Sequence, residues 1–360
     1  MLRRIVACLV LALTVFVSAK AQRLEWSVDF NTVFDNREGD KDMAPNKTFF
    51  HTQLAPEIGM SMFDGQHRLM GGVVWTQPVQ DDWHGKKLSP TLYYKYTGRQ
   101  GLSLSLGMFP RTSLHCQFPN YVFNDSVNYF QHNIRGLALT YVRPDGFAQA
   151  VVDWRAMQSE RRREAFNIVF QGEWQRQGSA FLAGGLAMMN HLAKSSNPTP
   201  DQYVVDNFVV NPYVGLDLSH RTVLDSLAVR GGALASLSRN REFGNKWKTP
   251  VGAWLAIDVT WWRLGWHNTF YAGGRLYPYY SRFGALLDRG EPYYQTNWYN
   301  RTTLYGTLIN NKFINLQASL DFNVAKNDFT FYQRLVLRVY LDSNFKKLPK
   351  SYKLPSPFEL

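Results

Sequence analysis

The chain has 360 residues and a formal net charge of +12, with 45% apolar, 15% aromatic and 19% charged residues. Aromatic content at this level excludes disorder, and 26 Gly with 16 Pro exclude collagen-like and low-complexity chains. Two cysteines, Cys8 and Cys116, exclude a disulfide scaffold and cysteine-based zinc sites.

The chain opens on a leader. Arg3 and Arg4 precede an apolar stretch over 5–17, and Ala19-Lys20-Ala21 supplies a small-residue cleavage site, so residues 1–21 read as a secretory signal peptide. Cleavage near Ala21 removes Cys8 and leaves Cys116 without a partner in the chain, read as a buried, inert thiol. No later apolar run is long enough for a membrane helix.

From there the residues alternate in twos. In 314–324, Ile314, Leu316, Ala318, Leu320, Phe322 and Val324 share one face, and Asn315, Gln317, Ser319, Asp321 and Asn323 share the other. The pattern predicts sixteen strands, over 23–34, 49–62, 67–76, 88–96, 101–109, 132–142, 146–156, 164–174, 178–190, 204–218, 224–238, 250–262, 266–280, 298–309, 312–324 and 329–342. Tight connections such as Phe63-Asp64-Gly65-Gln66 and Arg143-Pro144-Asp145-Gly146 alternate with long ones: 35–48, 77–87, 110–131, 157–163, 191–203, 239–249 and 281–297. Only 325–328 breaks the rule by being short.

Short turns on one side, long loops on the other and an even strand count are the signature of a transmembrane antiparallel up-and-down β-barrel of the outer membrane, here of 14–16 strands over 22–342 with a periplasmic tail over 343–360. Trp75 and Trp154 near external strand ends, and Tyr94, Tyr96, Trp174, Trp261 and Trp266 near the tight turns, suit the two headgroup levels. A secreted β-sandwich shares the alternation but gives no reason to segregate loop lengths.

Assigning polar faces inward gives a lumen lined by Lys95, Arg135, Asp153, Arg155, Arg230, Asp258, Arg275, Asp321, Arg334 and Arg338. Such a lining either selects hydrated solutes, with a weak preference for anions, or forms cross-lumen ion pairs that stiffen the wall. The longest loop, 110–131, carries Arg111, Phe118, Tyr121, Phe123, Asp125 and Tyr129, rings that an exposed loop would not normally hold, and is expected to fold inward as a constriction. The run 157–164, with Arg161, Arg162 and Arg163, reads as a solvated loop or as a site for lipopolysaccharide phosphates.

Enzymatic signatures are weak. Ser113 and His115 stand two apart without a supporting motif, and Asp81, Asp82 and His84 read as an external loop; no phosphate loop, metal signature or nucleophile elbow appears.

Gly107-Met108-Phe109-Pro110-Arg111, and Asp153-Trp154 together with the stretch 157–166, resemble outer-membrane barrels of Bacteroides-type bacteria, and the full pattern resembles porins. The resemblance implies a barrel in the outer membrane of a Gram-negative cell but brings no functional residue with it. The expectation is a porin-like, non-enzymatic channel for small hydrophilic solutes, anions among them, without a cofactor or metal. It would touch lipid and lipopolysaccharide, bind no nucleic acid, and be open to homo-oligomerisation. The alternatives are a non-conducting barrel with a structural or receptor role and, third, an outer-membrane hydrolase.

Overall fold

In the computed structural model, the described residues are 22–40, 43, 46–79, 87–326, 328–344, 347–349 and 351–355. The expected leader and the Asp81, Asp82 and His84 group lie outside them.

Sixteen strands close into one antiparallel barrel, each paired with its sequence neighbours and the last with the first. They are β1 Gln22–Gly39, β2 Lys47–Met62, β3 His67–Pro78, β4 Lys87–Thr97, β5 Leu102–Pro110, β6 Asn133–Arg143, β7 Gly146–Ala156 and β8 Ala165–Gln175. The second half comprises β9 Phe181–Leu192, β10 Val205–Asp217, β11 Ser226–Asn240, β12 Val251–Trp261, β13 Leu264–Gly273, β14 Trp298–Asn310, β15 Ile314–Ala325 and β16 Asp328–Asp342. Closure runs from Ser27↔Asp342 to Gly39↔Thr330, so no strand edge is left open. At the β2–β3 turn, Asp64 and Gly65 both take positive φ, 57° and 85°, a sharp reversal that glycine makes inexpensive.

The barrel is inside out relative to a soluble protein. Leu24, Ile58, Leu92, Phe170, Leu304 and Leu335 are exposed on the outer wall, while Asn31, Gln53, Asn190, Asn207, Thr303 and Asp321 are buried on the inner one. Some inner polar groups meet the inward loop, as Gln53 Nε2 does at Tyr129 O, 2.6 Å away, and the outer face has the apolar character that a bilayer requires. Within β15 the apolar face points outward, as the alternation predicts.

Two elements differ from expectation, and for related reasons. β1 continues to Gly39 instead of stopping at 34, because Asp35 and Arg37, which resemble loop residues, face inward and pair at 2.7 Å. β13 ends at Gly273 instead of 280: Leu276, Tyr277 and Tyr279 look like strand residues but are buried in a loop that enters the lumen.

The lumen is filled. The loop from Arg111 to His132, with its short helix Asp125–Phe130, folds inward and meets the β13–β14 loop, 274–297. The two interlock through Asn124 N–H to Arg289 O at 2.8 Å, Glu291 N–H to Asn120 O at 2.8 Å, and the Tyr277 hydroxyl to Tyr121 O at 2.5 Å. Gly290 sits at this crossing, where a Cβ would lie 2.0 Å from the Tyr277 hydroxyl. Plug residues Tyr121, Phe123 and Tyr294 join wall residues Phe109, Tyr299, Val169, Val209 and Leu234 in one apolar cluster, so plug and wall together make this barrel's core. From the opposite end the chain terminus closes in: Leu354 is buried, its N–H bonds to Asn311 O at 3.0 Å, and Arg338 donates to Pro355 O at 3.1 Å.

Candidate functional site

The residues expected to line a pore separate into three groups. Lys95, Asp153, Arg155, Arg230, Asp258, Asp321, Arg334 and Arg338 fall on the inward positions of their strands. Arg135 does not: Ile134, Gly136, Ala138 and Thr140 take the inner face of β6, so Arg135 is exposed outside. Its strand is apolar on both faces, which hid the parity. Arg275 is an exposed loop residue because β13 ends before it, and its Nε approaches Asn297 Oδ1 at 3.4 Å.

The inward charges are mostly spent on one another. Arg301, fully buried, reaches Asp125 at 2.9 Å and Asp321 at 3.4 Å, and Arg334 reaches the same two carboxylates at 3.2 and 2.5 Å. Arg338 holds Asp29 at 2.8 Å, and Arg111 holds Asp153 at 3.2 Å. Arg230 bridges Glu173 at 2.7 Å and Asp258 at 2.9 Å. Arg155 lines the wall with no hydrogen-bond partner among the described residues. The six loop residues expected at a constriction, Arg111, Phe118, Tyr121, Phe123, Asp125 and Tyr129, are all buried, and Phe118 stacks on Phe123 at 5.1 Å. Tyr121 donates to Asn211 Oδ1 at 2.9 Å and Tyr129 to Asp35 Oδ2 at 2.8 Å, tying the plug to opposite walls. Although burial opposes it, Arg301 and Arg334 hold the Asp125 carboxyl well below the usual carboxylate range.

Cys116 lies half-buried in the plug, its thiol pushed up to about 11 by burial, so the thiolate is disfavoured. Ser113 donates to Pro110 O at 2.7 Å and His115 packs on Phe147 at 4.9 Å, so these two serve different neighbours.

A different constellation stands on the outside of the barrel, near the end that carries the long loops. Strand register lines up Trp154 with Phe166, Phe166 with His191, His191 with Asp206, and Asp206 with Arg239, one residue each from β7 to β11. In these strands the buried inner positions are Asp153, Asn167, Asn190, Asn207 and Ser238, so the row of five faces outward. His191 Nδ1 lies 3.0 Å from Asp206 Oδ1. Asp206 Oδ2 accepts from Arg239 Nη2 at 2.6 Å and from Arg241 Nη2 at 3.2 Å. Phe166 lies against the imidazole at 5.0 Å and Trp154 stacks on Phe166 at 5.1 Å, while Trp247 covers the Arg239 guanidinium at 4.5 Å. His191 Nε2 makes no hydrogen bond among the described residues.

This arrangement has chemistry to offer. Asp206 fixes the imidazole tautomer, the arginines fix Asp206, and Nε2 is left without a hydrogen bond among the described residues, on the outer wall near the long-loop end of β9. A carboxylate there costs ~0–1 kcal/mol, against ~2–4 kcal/mol at the bilayer midplane for a strong base, so the row is affordable only near a strand end. Sequence inspection passed over it because His191 and Asp206 are fifteen positions apart and meet only through strand pairing. The available signal was parity: on β9, β10 and β11 these are the titratable residues that fall on the apolar face.

A second histidine–carboxylate pair, His267 Nδ1 to Asp258 Oδ1 at 2.5 Å with Nε2 3.0 Å from Thr269 Oγ1, faces the lumen toward the short-turn end. It is shared with Arg230 and enclosed by the wall.

Fold and surface together define an integral outer-membrane β-barrel with a filled lumen and a polar site on its lipid-facing wall. The chain belongs to the Lipid A 3'-O-deacylase-type family, whose model matches residues 16–354. The expectation that the protein is not an enzyme is overturned by that membership, since the family is named for a hydrolytic activity. No curated protein matches the sequence. Among solved structures the chain is similar to the outer membrane protein OpdK of Pseudomonas aeruginosa, with a TM-score of 0.49 at 11% identity over 89% of this chain and 99% of that one. It is also similar to OccAB4 of Acinetobacter baumannii (0.48, 10%, 90% and 99%) and to a triple mutant of the Rhodopseudomonas blastica porin (0.48, 9%, 89% and 100%). Likeness at this level contributes nothing to the functional argument.

Proposed function

We propose that the protein is a lipid A deacylase working at the outer-leaflet level of its outer wall, with His191 as general base and Asp206 as the residue that orients it. The observation that carries this reading is the outward-facing His191–Asp206 pair, braced by Arg239 and Arg241. Charges on a lipid-facing wall have no structural use that an apolar side chain would not serve better. In the reaction, His191 Nε2 takes a proton from water, the hydroxide adds to the ester carbonyl, and the tetrahedral intermediate expels the sugar or hydroxyacyl oxygen. That oxygen takes the proton back from the imidazolium, giving a free fatty acid and a hydroxyl. Arg241, whose side chain is 47% exposed, is placed to meet the anionic headgroup.

The test is mass spectrometry of lipid A incubated with the purified barrel in detergent. Loss of one ester-linked acyl chain, abolished in His191→Gln, is the expected result. Unchanged lipid A, or a variant as active as the wild type, would overturn the assignment.

The second reading is passive passage of small hydrophilic solutes. It is favoured by a polar cavity of about 400 Å³ on the short-turn side, lined by Glu25, Glu57, Arg68, Lys95 and Arg338. Against it stand the two interlocked loops above that cavity.

A further inference from the structure

Below the His191 row the outer wall descends in register: Ile168, Met189 and Phe208, then Phe170, Ala187 and Val210, then Gly172, Gly185 and Pro212. Along β9 the outward side chains therefore shrink from Met189 to Ala187 to Gly185, while Phe170 on one side and Val210 on the other remain tall. The result is a trough of about 540 Å³ with a mostly apolar lining, which continues from Ala187 and Gly185 across Ala148 and Ala150 on β7 to Leu139 and Tyr141 on β6 and Leu102 on β5. It is open to the outside of the barrel. Its occupant is set by its position, because an apolar trough on a membrane-facing wall meets hydrocarbon chains and nothing else.

Depth then selects which chain. Ala187 and Gly185 lie four and six residues from His191, about 13 and 20 Å along the strand at ~3.4 Å per residue. With strands tilted ~35–45°, Gly185 is about 15 Å below His191, half of the ~30 Å hydrocarbon core and so one leaflet's depth. An acyl chain whose ester carbonyl sits at His191 Nε2 would place its far end over Ala187 and Gly185.

We infer that this trough is the seat for the distal half of the acyl chain to be removed, and that it sets the preferred chain length. The inference rests on the His191 reading and adds to it the substrate's chain as the feature recognised. Ala187 is exposed, so Ala187→Phe fills the trough without entering the barrel interior. The measurement is the ratio of turnover on lipid A carrying a hexadecanoyl chain to turnover on lipid A carrying a decanoyl chain at the scissile position, with Leu69→Phe elsewhere on the wall as control.

The ratio is expected to fall about tenfold or more in Ala187→Phe and to hold in the control. An unchanged ratio, or an equal fall in the control, overturns the inference. If the wild type cleaves neither lipid, or His191→Gln cleaves as well as wild type, the site assignment fails instead. The trough is then judged by native mass spectrometry: retention of hexadecanoyl lipid A by His191→Gln should drop when Ala187→Phe is added, and equal retention overturns it.

Discussion

His191 and Asp206 stand directly opposite each other in the β9–β10 ladder, and both turn their side chains away from the lumen, Nδ1 to Oδ1 at 3.0 Å. Neighbouring strands hold side chains of directly paired residues at fixed separation, so the backbone pre-orients this pair before any substrate arrives.

Replacing His191 by Gln should lower lipid A deacylation about 10²–10⁴-fold, the usual worth of a positioned general base. Asp206→Asn should cost less and fall on kcat with KM little changed, because the base keeps its place in the row but loses the carboxylate that orients its ring. Heat-modifiable mobility on gels should show both variants still folded; full activity in His191→Gln would refute the role.

Arg301 is the buried cation on which the plug depends, facing Asp125 and Asp321 with Glu291 at 3.7 Å. Arg301→Met removes one of the two arginines that hold Asp125 and Asp321, leaving Arg334 alone to face both, and should destabilise the barrel by about 3–5 kcal/mol in urea titrations in lipid vesicles. It should also raise planar-bilayer conductance above that of the wild type, since Asp125 anchors the inward helix. Equal conductance and an unmoved midpoint would show that the network is dispensable.

The plug should respond to pH in a defined direction. Burial raises the Asp288 carboxyl to about 7, against the pull of its hydrogen bond from Asn207, and burial with the nearby Asp125 carboxylate likewise raises Glu291. Both bind protons more tightly docked than released, so their contribution to docking is fully present below ~4 and is lost as pH rises through about 7. Asp125, with a depressed value, contributes in the opposite sense and loses its share only in strong acid. Hydrogen exchange over 284–297, corrected for intrinsic rate, should therefore show less protection on the alkaline side of neutrality. Equal or greater protection there would contradict this.

Gly290 is the point where the two inward loops cross, with Tyr121 O 2.6 Å and the Tyr277 hydroxyl 2.0 Å from where a Cβ would be. Gly290→Val should part the loops and make 274–297 a site of rapid cleavage by added protease, while the strands stay protected. A digestion pattern like the wild type's would mean that the crossing yields without separating.

Much of the barrel was legible because β structure in a membrane is written with a period of two: β15 and β16 declare both faces residue by residue. Loop lengths separated the short-turn end from the long-loop end. What escaped were residues whose burial comes from the plug and not from the wall. Tyr277 and Tyr279 mimic a strand because an inward loop needs an apolar surface too, and Asp35 and Arg37 mimic a loop because the lumen tolerates charge. Arg135 was misplaced where alternation fails, and the His191 row was missed because it exists only once register is known.

The charges that secure the plug come from the chain's far end. Asp125, about a third of the way along the sequence, is gripped by Arg301 on β14 and Arg334 on β16, and β16 is also the strand that seals against β1. During biogenesis Arg111 can pair with Asp153 as soon as β7 is present, but Asp125 has no arginine until β14 and β16 arrive. Sealing the cylinder and completing the grip on the inward helix therefore coincide, and a nascent chain truncated before β16 would lack both the seal and Arg334.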